Sequence, residues 1–263
     1  MLLRRPHRSF IASGFSKGEL HVKKVLAAVL LSWSALGLAQ TADELLNDGK
    51  NTENVLSFGQ NPKLQMYSPL KQITKSNVKR LVPLWSTSTM SETGELAQPA
   101  IYNGVMYVTN GAWTFALDVA TGKQIWRTPV EYDRAVLRIS SSGAIYRGSP
   151  TLYNGKLYRL TLDAHVVALD MKTGKQIWKK AFANHLEGYK GVSAPLIANG
   201  VMITGTSGGE HATRGFLVGW DPETGNELWR KHMIPAPGEP GHETWPKTAE
   251  SIPDAWKIGG AST

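Results

Sequence analysis

Three segments of the chain repeat one pattern of apolar and polar positions. FALDVATGKQIW (115–126), VALDMKTGKQIW (167–178) and VGWDPETGNELW (218–229) each run from apolar residues into an Asp, through a polar Thr-Gly turn, and on to a Trp. The Asp residues, 118, 170 and 221, stand 52 and 51 positions apart. Upstream of each copy lies a second shared segment: QPAIYNGVMYVT (98–109), SPTLYNGKLYRLT (149–161) and SAPLIANGVMITGT (193–206). Each holds a Pro, an apolar run, Asn-Gly, and another apolar run.

Asn-Gly between two short apolar runs predicts a β-hairpin, because a type I′ turn needs positive φ at both central residues and these two tolerate it. Asn103-Gly104, Asn154-Gly155 and Asn199-Gly200 should therefore each join two strands. The D-x-x-T-G that follows predicts a second tight turn, with the Asp side chain capping its own backbone and Gly in the left-handed position. Each repeat is then four strands. A four-stranded unit recurring about every 50 residues, with an aromatic at one fixed place, predicts an all-β fold, a β-propeller of four-stranded blades. Trp126, Trp178 and Trp229 should fill the gaps between adjacent blades, each burying on the order of 200 Å². Ahead of the repeats, 41–48 reads as a short helix with Thr41 as N-cap and Glu44 closing a capping box. In 68–85, Leu70, Ile73, Val78, Leu81 and Trp85 read as a core-facing helix followed by a strand, with Trp85 opening the first sheet. Three such blades cannot close a ring, so the sequence reads as part of a larger propeller.

The net charge of +8 raises a nucleic-acid reading, but most of it sits at one end. Residues 1–39 hold six Lys or Arg against Glu19 alone, +5 of the +8, leaving +3 for the rest. That is ordinary surface charge, and no nucleic-acid partner is expected. In the same stretch Lys23 and Lys24 precede an apolar run from Val25 to Leu38, and Gly37 and Ala39 stand at −3 and −1 of a cut before Gln40. This is the pattern of a signal peptide over 1–39, with a true start near Val22, and predicts export to the periplasm. The apolar run is shorter than the roughly 20 residues a membrane span needs. The chain contains no Cys, which excludes thiol nucleophiles, Cys-ligated zinc and iron–sulfur clusters.

Beyond the repeats, four stretches are more specific: LKQITKSNVKRLVPLW, the loop GTSGGEHATRG (205–215), the loop PAPGEPGHETWP, and DAWKIGGAST. With the T-G-x-x-x-W repeats they resemble the N-terminal portion of the pyrroloquinoline quinone (PQQ) dependent alcohol dehydrogenases, the methanol and ethanol dehydrogenase group. The resemblance covers nearly all of 43–263 and implies an eight-bladed propeller, of which 40–263 would be the N-terminal part, incomplete at its C-terminus. It also implies an exported enzyme oxidising a primary alcohol to an aldehyde, with PQQ and Ca²⁺ or a lanthanide as cofactors. A cytochrome c or a quinone would take the electrons, and a homo-oligomer is admitted.

The resemblance assigns site residues one by one. PQQ is a flat ortho-quinone with three carboxylates, and its site needs cationic and hydrogen-bonding groups at the rim and a hard cation beside the reactive carbonyl. Arg147 matches the carboxylate-binding Arg, Thr161 and Ser262 match hydroxyl positions, and Ser207, Gly208 and Gly209 match the stretch lying against the quinone. Glu210 matches the metal-binding glutamate. Where many relatives carry two adjacent Cys over the cofactor face, this chain has Ser141 and Ser142. Where they carry an acidic or amide residue before the first-blade Pro, it has Leu96, with Glu95 one step away. No catalytic residue is assigned: the catalytic Asp is expected beyond Thr263, which makes the sequence as given inactive alone. The competing reading is a non-catalytic propeller scaffold of the outer-membrane assembly type, which shares the repeat and has no need of a Gly-Gly-Glu loop.

Overall fold

The computed structural model describes residues 40–61, 63–90, 95–139, 146, 148–244, 254–257 and 260. The chain divides at Ala39/Gln40 into two units, of which the first, holding the expected signal peptide, lies outside the described residues.

The second unit carries three four-stranded antiparallel sheets, one for each sequence repeat. The first sheet comprises β1 (Ala100–Tyr102), β2 (Val105–Thr109), β3 (Trp113–Asp118) and β4 (Gln124–Pro129). The second has β5 (Thr151–Tyr153), β6 (Lys156–Leu160), β7 (His165–Asp170) and β8 (Gln176–Ala181). The third has β9 (Leu196–Ala198), β10 (Val201–Gly205), β11 (Phe216–Trp220) and β12 (Glu227–His232). In each, strands pair in chain order, as expected when consecutive tight turns join them.

Those turns have the anticipated chemistry. Asn103, Asn154 and Asn199 have φ of 47°, 48° and 48°, and the following glycines are also at positive φ. Asp118 Oδ1 accepts from the backbone N–H and the hydroxyl of Thr121, at 2.8 and 2.6 Å, and Asp170 repeats this with Thr173. The capping box forms as read: Thr41 and Glu44 bond reciprocally at the start of the short helix α1 (Ala42–Leu46). A second short helix, α2 (Val136–Ile139), lies in the connection between the first two sheets.

Trp126 and Trp178 leave their own blades to dock on the next. Trp126 and Trp178 are buried, and their rings cover Gly174 and Gly225, the glycines of the following T-G turns. An added Cβ at those glycines would sit 2.5 and 2.8 Å from the indole atoms, so no other residue fits. Around them, Tyr102, Tyr107 and Ala116 pack with Leu152, Leu157 and Leu169, while Tyr158, Val166 and Ala168 pack with Met202, Val218 and Trp220. Burying each indole contributes about 3 kcal/mol relative to leaving it exposed.

Trp229 is 40% exposed, and among the described residues no blade follows β12 for it to dock on. One expectation is corrected. Residues 68–85 form neither a core-facing helix nor a strand. Helical geometry is limited to one 3₁₀ turn, Val78–Arg80, and Leu70, Ile73, Val78 and Leu81 are all exposed. The reason is local. Asn77 Oδ1 accepts from Thr74 N at 2.7 Å and Asn77 Nδ2 donates to Gln72 O at 2.7 Å, a side-chain turn that competes with helix. Trp85 opens no sheet; its indole donates to Val119 O at 2.8 Å and covers Gly122, the docking arrangement of Trp126 and Trp178 one blade earlier.

Candidate functional site

In every sheet the Asn-Gly and D-x-x-T-G turns occupy one edge, so the loops after the second and fourth strands must gather at the other. That edge carries five of the residues the sequence singled out. Thr161 begins the β6–β7 loop, and Ser207, Gly208, Gly209 and Glu210 lie in the β10–β11 loop.

These two loops meet through the connection after β8. Thr161 O accepts from Gly191 N at 3.1 Å, and the neighbouring Lys190 exchanges two backbone hydrogen bonds with Ser207, both 2.9 Å. Gly208 sits at φ +117°, where an added Cβ would fall 2.1 Å from Gly188 O. Its small size is therefore demanded by the adjoining backbone as well as by anything that lies on the loop. Gly209 and Glu210 open a single 3₁₀ turn, Gly209–His211.

Glu210 is exposed, with Lys190 Nζ and His211 Nε2 each 3.5 Å from its Oε1. Its own backbone N–H, then the charges of Lys190 and His211, outweigh some desolvation and hold the carboxyl below the usual carboxylate range. It is an anion at neutral pH, the form in which a carboxylate binds a hard cation. Among the described residues no group of three His, Asp or Glu gathers as a metal site, so Glu210 fits as one ligand and not as a whole set.

The Thr161 hydroxyl is buried and engaged within its loop. It donates to Asp163 Oδ1 at 2.5 Å and accepts from His165 N at 3.1 Å. Asp163 is itself buried, and its other oxygen accepts from Asp133 N at 3.1 Å. Burial works to raise the Asp163 carboxyl, but hydrogen bonds from His165 and Thr161 prevail and hold it at about 2. Asp133 in turn meets His185 Nε2 at 2.9 Å. A chain of polar contacts thus ties the β6–β7 loop to the connections on either side of the second blade.

Arg147, Ser262, Ser141 and Ser142 lie outside the described residues. The residues flanking Arg147 do not. Tyr146 is buried, donates its OH to Leu160 O at 2.8 Å and accepts from Leu96 N at 3.0 Å through its carbonyl, while Thr109 Oγ1 donates to Gly148 O at 2.8 Å. Glu95 also forms an isolated bridge with Tyr146. Beneath them lies Arg159, 1% exposed, with its guanidinium 4.7 Å from the Tyr146 ring centre. It donates to Asn110 O, Trp113 O, Thr114 Oγ1 and Leu160 O at 2.6 to 3.3 Å.

Residues 56–261 match the family model described as PQQ: glucose/ethanol/alcohol dehydrogenase, beta-propeller domain. The chain belongs to the PQQ-dependent alcohol dehydrogenase family. Among its relatives, the quinoprotein alcohol dehydrogenase PedH of Pseudomonas putida is 37% identical over 262 residues, 92% of this chain and 42% of PedH. The 1-butanol dehydrogenase (quinone) of Thauera butanivorans is 34% identical over 90% of this chain and 42% of its own length. Among solved structures, a europium-containing methanol dehydrogenase superposes with a TM-score of 0.76 at 30% identity, covering 84% of this chain and 41% of that one. The quinohemoprotein alcohol dehydrogenase ADHIIG from Pseudomonas putida HK5 gives 0.71 at 33% identity, covering 76% and 30%. The chain thus spans about two fifths of the length of the curated relatives it matches, and the propeller reading of its repeats holds.

Three residues in this family member escaped the sequence reading: Lys190, Asp163 and Arg159. The only signal for Arg159 was a charge inside the apolar run KLYRL, where alternation would point it inward. Nothing in the sequence marks Lys190 as buried.

Proposed function

We propose that this chain forms the part of a PQQ-dependent alcohol dehydrogenase that contributes the floor of the quinone site and one metal ligand. The observation that carries the reading is the loop 207–210: an ionised carboxylate at the end of a small-residue turn, held against the Thr161 loop by Lys190 and Gly191. Ser207, Gly208 and Gly209 would lie against the cofactor, Thr161, Arg147 and Ser262 would serve its rim, and Glu210 would hold Ca²⁺ or a lanthanide. When bound, PQQ supplies a two-electron acceptor and the metal supplies Lewis acidity that a protein side chain lacks.

What the chain's own residues do is bind and orient. Glu210 presents an oxygen that is charged at neutral pH, so no proton has to leave before a cation is taken. The loop's glycines leave its backbone uncovered by side chains. The contacts of Asp163 with Thr161, Asp133 and His165 hold two loops of the site face in one arrangement, as preorganisation requires.

The substrate would be a primary alcohol, as the name of the 1-butanol dehydrogenase (quinone) relative suggests, and the acceptor a cytochrome c or a quinone. Export to the periplasm is part of the same reading and is supported by the leader pattern. A mature N-terminus at Gln40 in the periplasmic fraction is the expected result of intact-mass analysis; uncleaved chain in the cytoplasm would oppose it. The reading as a whole is tested by adding PQQ with Ca²⁺ or La³⁺ to the purified protein and removing free quinone by gel filtration. Quinone absorbance should travel with the protein. If none does, with either metal, the scaffold reading gains.

A further inference from the structure

The Asn-Gly turns that shape the blades are also chemically labile. Glycine offers its backbone nitrogen with no side chain in the way, so that nitrogen can attack the amide carbon of the preceding Asn once the chain leaves its turn geometry. Leaving it takes a local opening, which the hydrogen bonds around the turn oppose. The three turns are alike in φ and register: Asn103, Asn154 and Asn199 lie at 47° to 48°, and Tyr102, Tyr153 and Ala198 pair with Val105, Lys156 and Val201. They differ in what holds them.

In the first two blades the D-x-x-T-G turn straps the Asn-Gly turn. Val119 N donates to Gly104 O at 3.0 Å, and Met171 N to Gly155 O at 3.1 Å. The third blade has Pro222 at that place, which carries no N–H, and Gly200 O has no strap. Further supports follow the same order. Asn103 N donates to Asn54 Oδ1 at 3.0 Å. Asn154 N donates to Gln40 O at 2.9 Å, Gly155 N to Gln40 Oε1 at 3.0 Å, and Asn154 Nδ2 to Glu223 Oε1 at 2.6 Å. Among the described residues no hydrogen bond from outside the hairpin reaches Asn199 or Gly200, and both are exposed, as are Leu196 and Ala198 of β9.

We propose that the missing strap makes Asn199 a site of spontaneous modification, converted to aspartate and isoaspartate ahead of Asn103 and Asn154. The Gly200 nitrogen bonds to Asn199 Cγ, the Cγ–Nδ2 bond breaks, and ammonia leaves with the proton from Gly200 N. Water then opens the succinimide, at one carbonyl to aspartate and at the other to isoaspartate. Either product adds a negative charge. Isoaspartate also adds a methylene to the main chain of a two-residue turn whose length sets the register of its strands. The second of those strands, β10, runs into the loop that carries Ser207 to Glu210, so the change falls on the hairpin that supports the candidate site.

The test is peptide mass mapping of the purified chain held in mildly alkaline buffer, folded and in urea. Unfolded, the three Asn-Gly pairs should react at similar rates. Folded, Asn199 should lead each of the others by about five-fold or more, since one hydrogen bond changes the opening equilibrium by about that factor. Two exchanges assign the cause. Pro222→Ala restores an N–H and should slow Asn199 about five-fold, whereas Val119→Pro removes one and should speed Asn103 by a similar factor without moving Asn154. If Pro222→Ala does not fold, Val119→Pro carries the test in the opposite direction, at a turn position that already takes Pro in the third blade. Asn103 or Asn154 leading in the folded chain, or Asn199 leading by the same margin in urea, overturns the proposal. Unchanged rates in both exchange variants overturn it as well.

Discussion

Trp126 and Gly174 are the lock between the first two blades: the indole lies flat on the glycine of the next T-G turn and donates its Nε1 hydrogen to Met171 O at 3.0 Å. The ring-on-glycine contact recurs between Trp85 and Gly122 and between Trp178 and Gly225, so the repeat read in the sequence is at once a turn signal and a docking signal.

Gly174→Ala should therefore destabilise the chain by about 3 kcal/mol or more, since the new methyl meets the indole and the backbone stays at positive φ. Gly155→Ala is the control. Gly155 has a similar φ of +73° but nothing within 4 Å of an added Cβ, so its cost should be limited to about 1 kcal/mol of backbone strain. Urea unfolding of the two variants measures the difference, which belongs to the docking contact.

The buried guanidinium of Arg159 supplies hydrogen bonds to three backbone carbonyls and a threonine hydroxyl. Leu160 O keeps the Tyr146 hydroxyl and Trp113 O keeps the Asn110 N–H, so Arg159→Met takes away the guanidinium's bonds to Asn110 O and the Thr114 hydroxyl outright and should cost about 3 kcal/mol. Arg159→Lys should recover little of it, because one ammonium cannot span the acceptors that a planar fork reaches. Thermal unfolding of both variants checks this.

Asp163 gives the chain an acid-sensitive contact. Its folded-state carboxyl, at about 2, lies below the ordinary 3.8, so its stabilisation is fully present above about pH 4 and is lost as pH falls through about 2. The difference corresponds to about 2 kcal/mol. Asp163→Asn should lower stability at neutral pH and flatten the decline between pH 4 and 2. Unfolding curves collected across that range would show parallel slopes if the carboxylate were not in these contacts.

The blades were legible because their information is local: Asn-Gly and D-x-x-T-G dictate turn geometry within four or five residues, and strand pairing follows. The spacing of Leu70, Ile73, Val78 and Leu81 suggested a helix face, yet Asn77 turns the chain with its own amide and the apolar residues stay outside. Trp85 was placed in a strand because its partner, Gly122, lies 37 positions away and only the folded blade brings them together. The site divides in the same way. The run Ser207 to Glu210 declares itself by type and order, whereas Lys190 reaches Glu210 from another loop, across a distance that depends on how β8 hands the chain to β9.

The central claim is that Glu210 and its loop bind the cofactor's metal, and the most direct measurement is metal-dependent retention of PQQ by the wild type and by Glu210→Gln. The substitution keeps an oxygen and removes a charge, so stability should change by about 0.5 kcal/mol or less while the metal needed for half-maximal retention rises at least ten-fold. Equal metal dependence in the two proteins, with the fold intact, would contradict the account and remove Glu210 from the site.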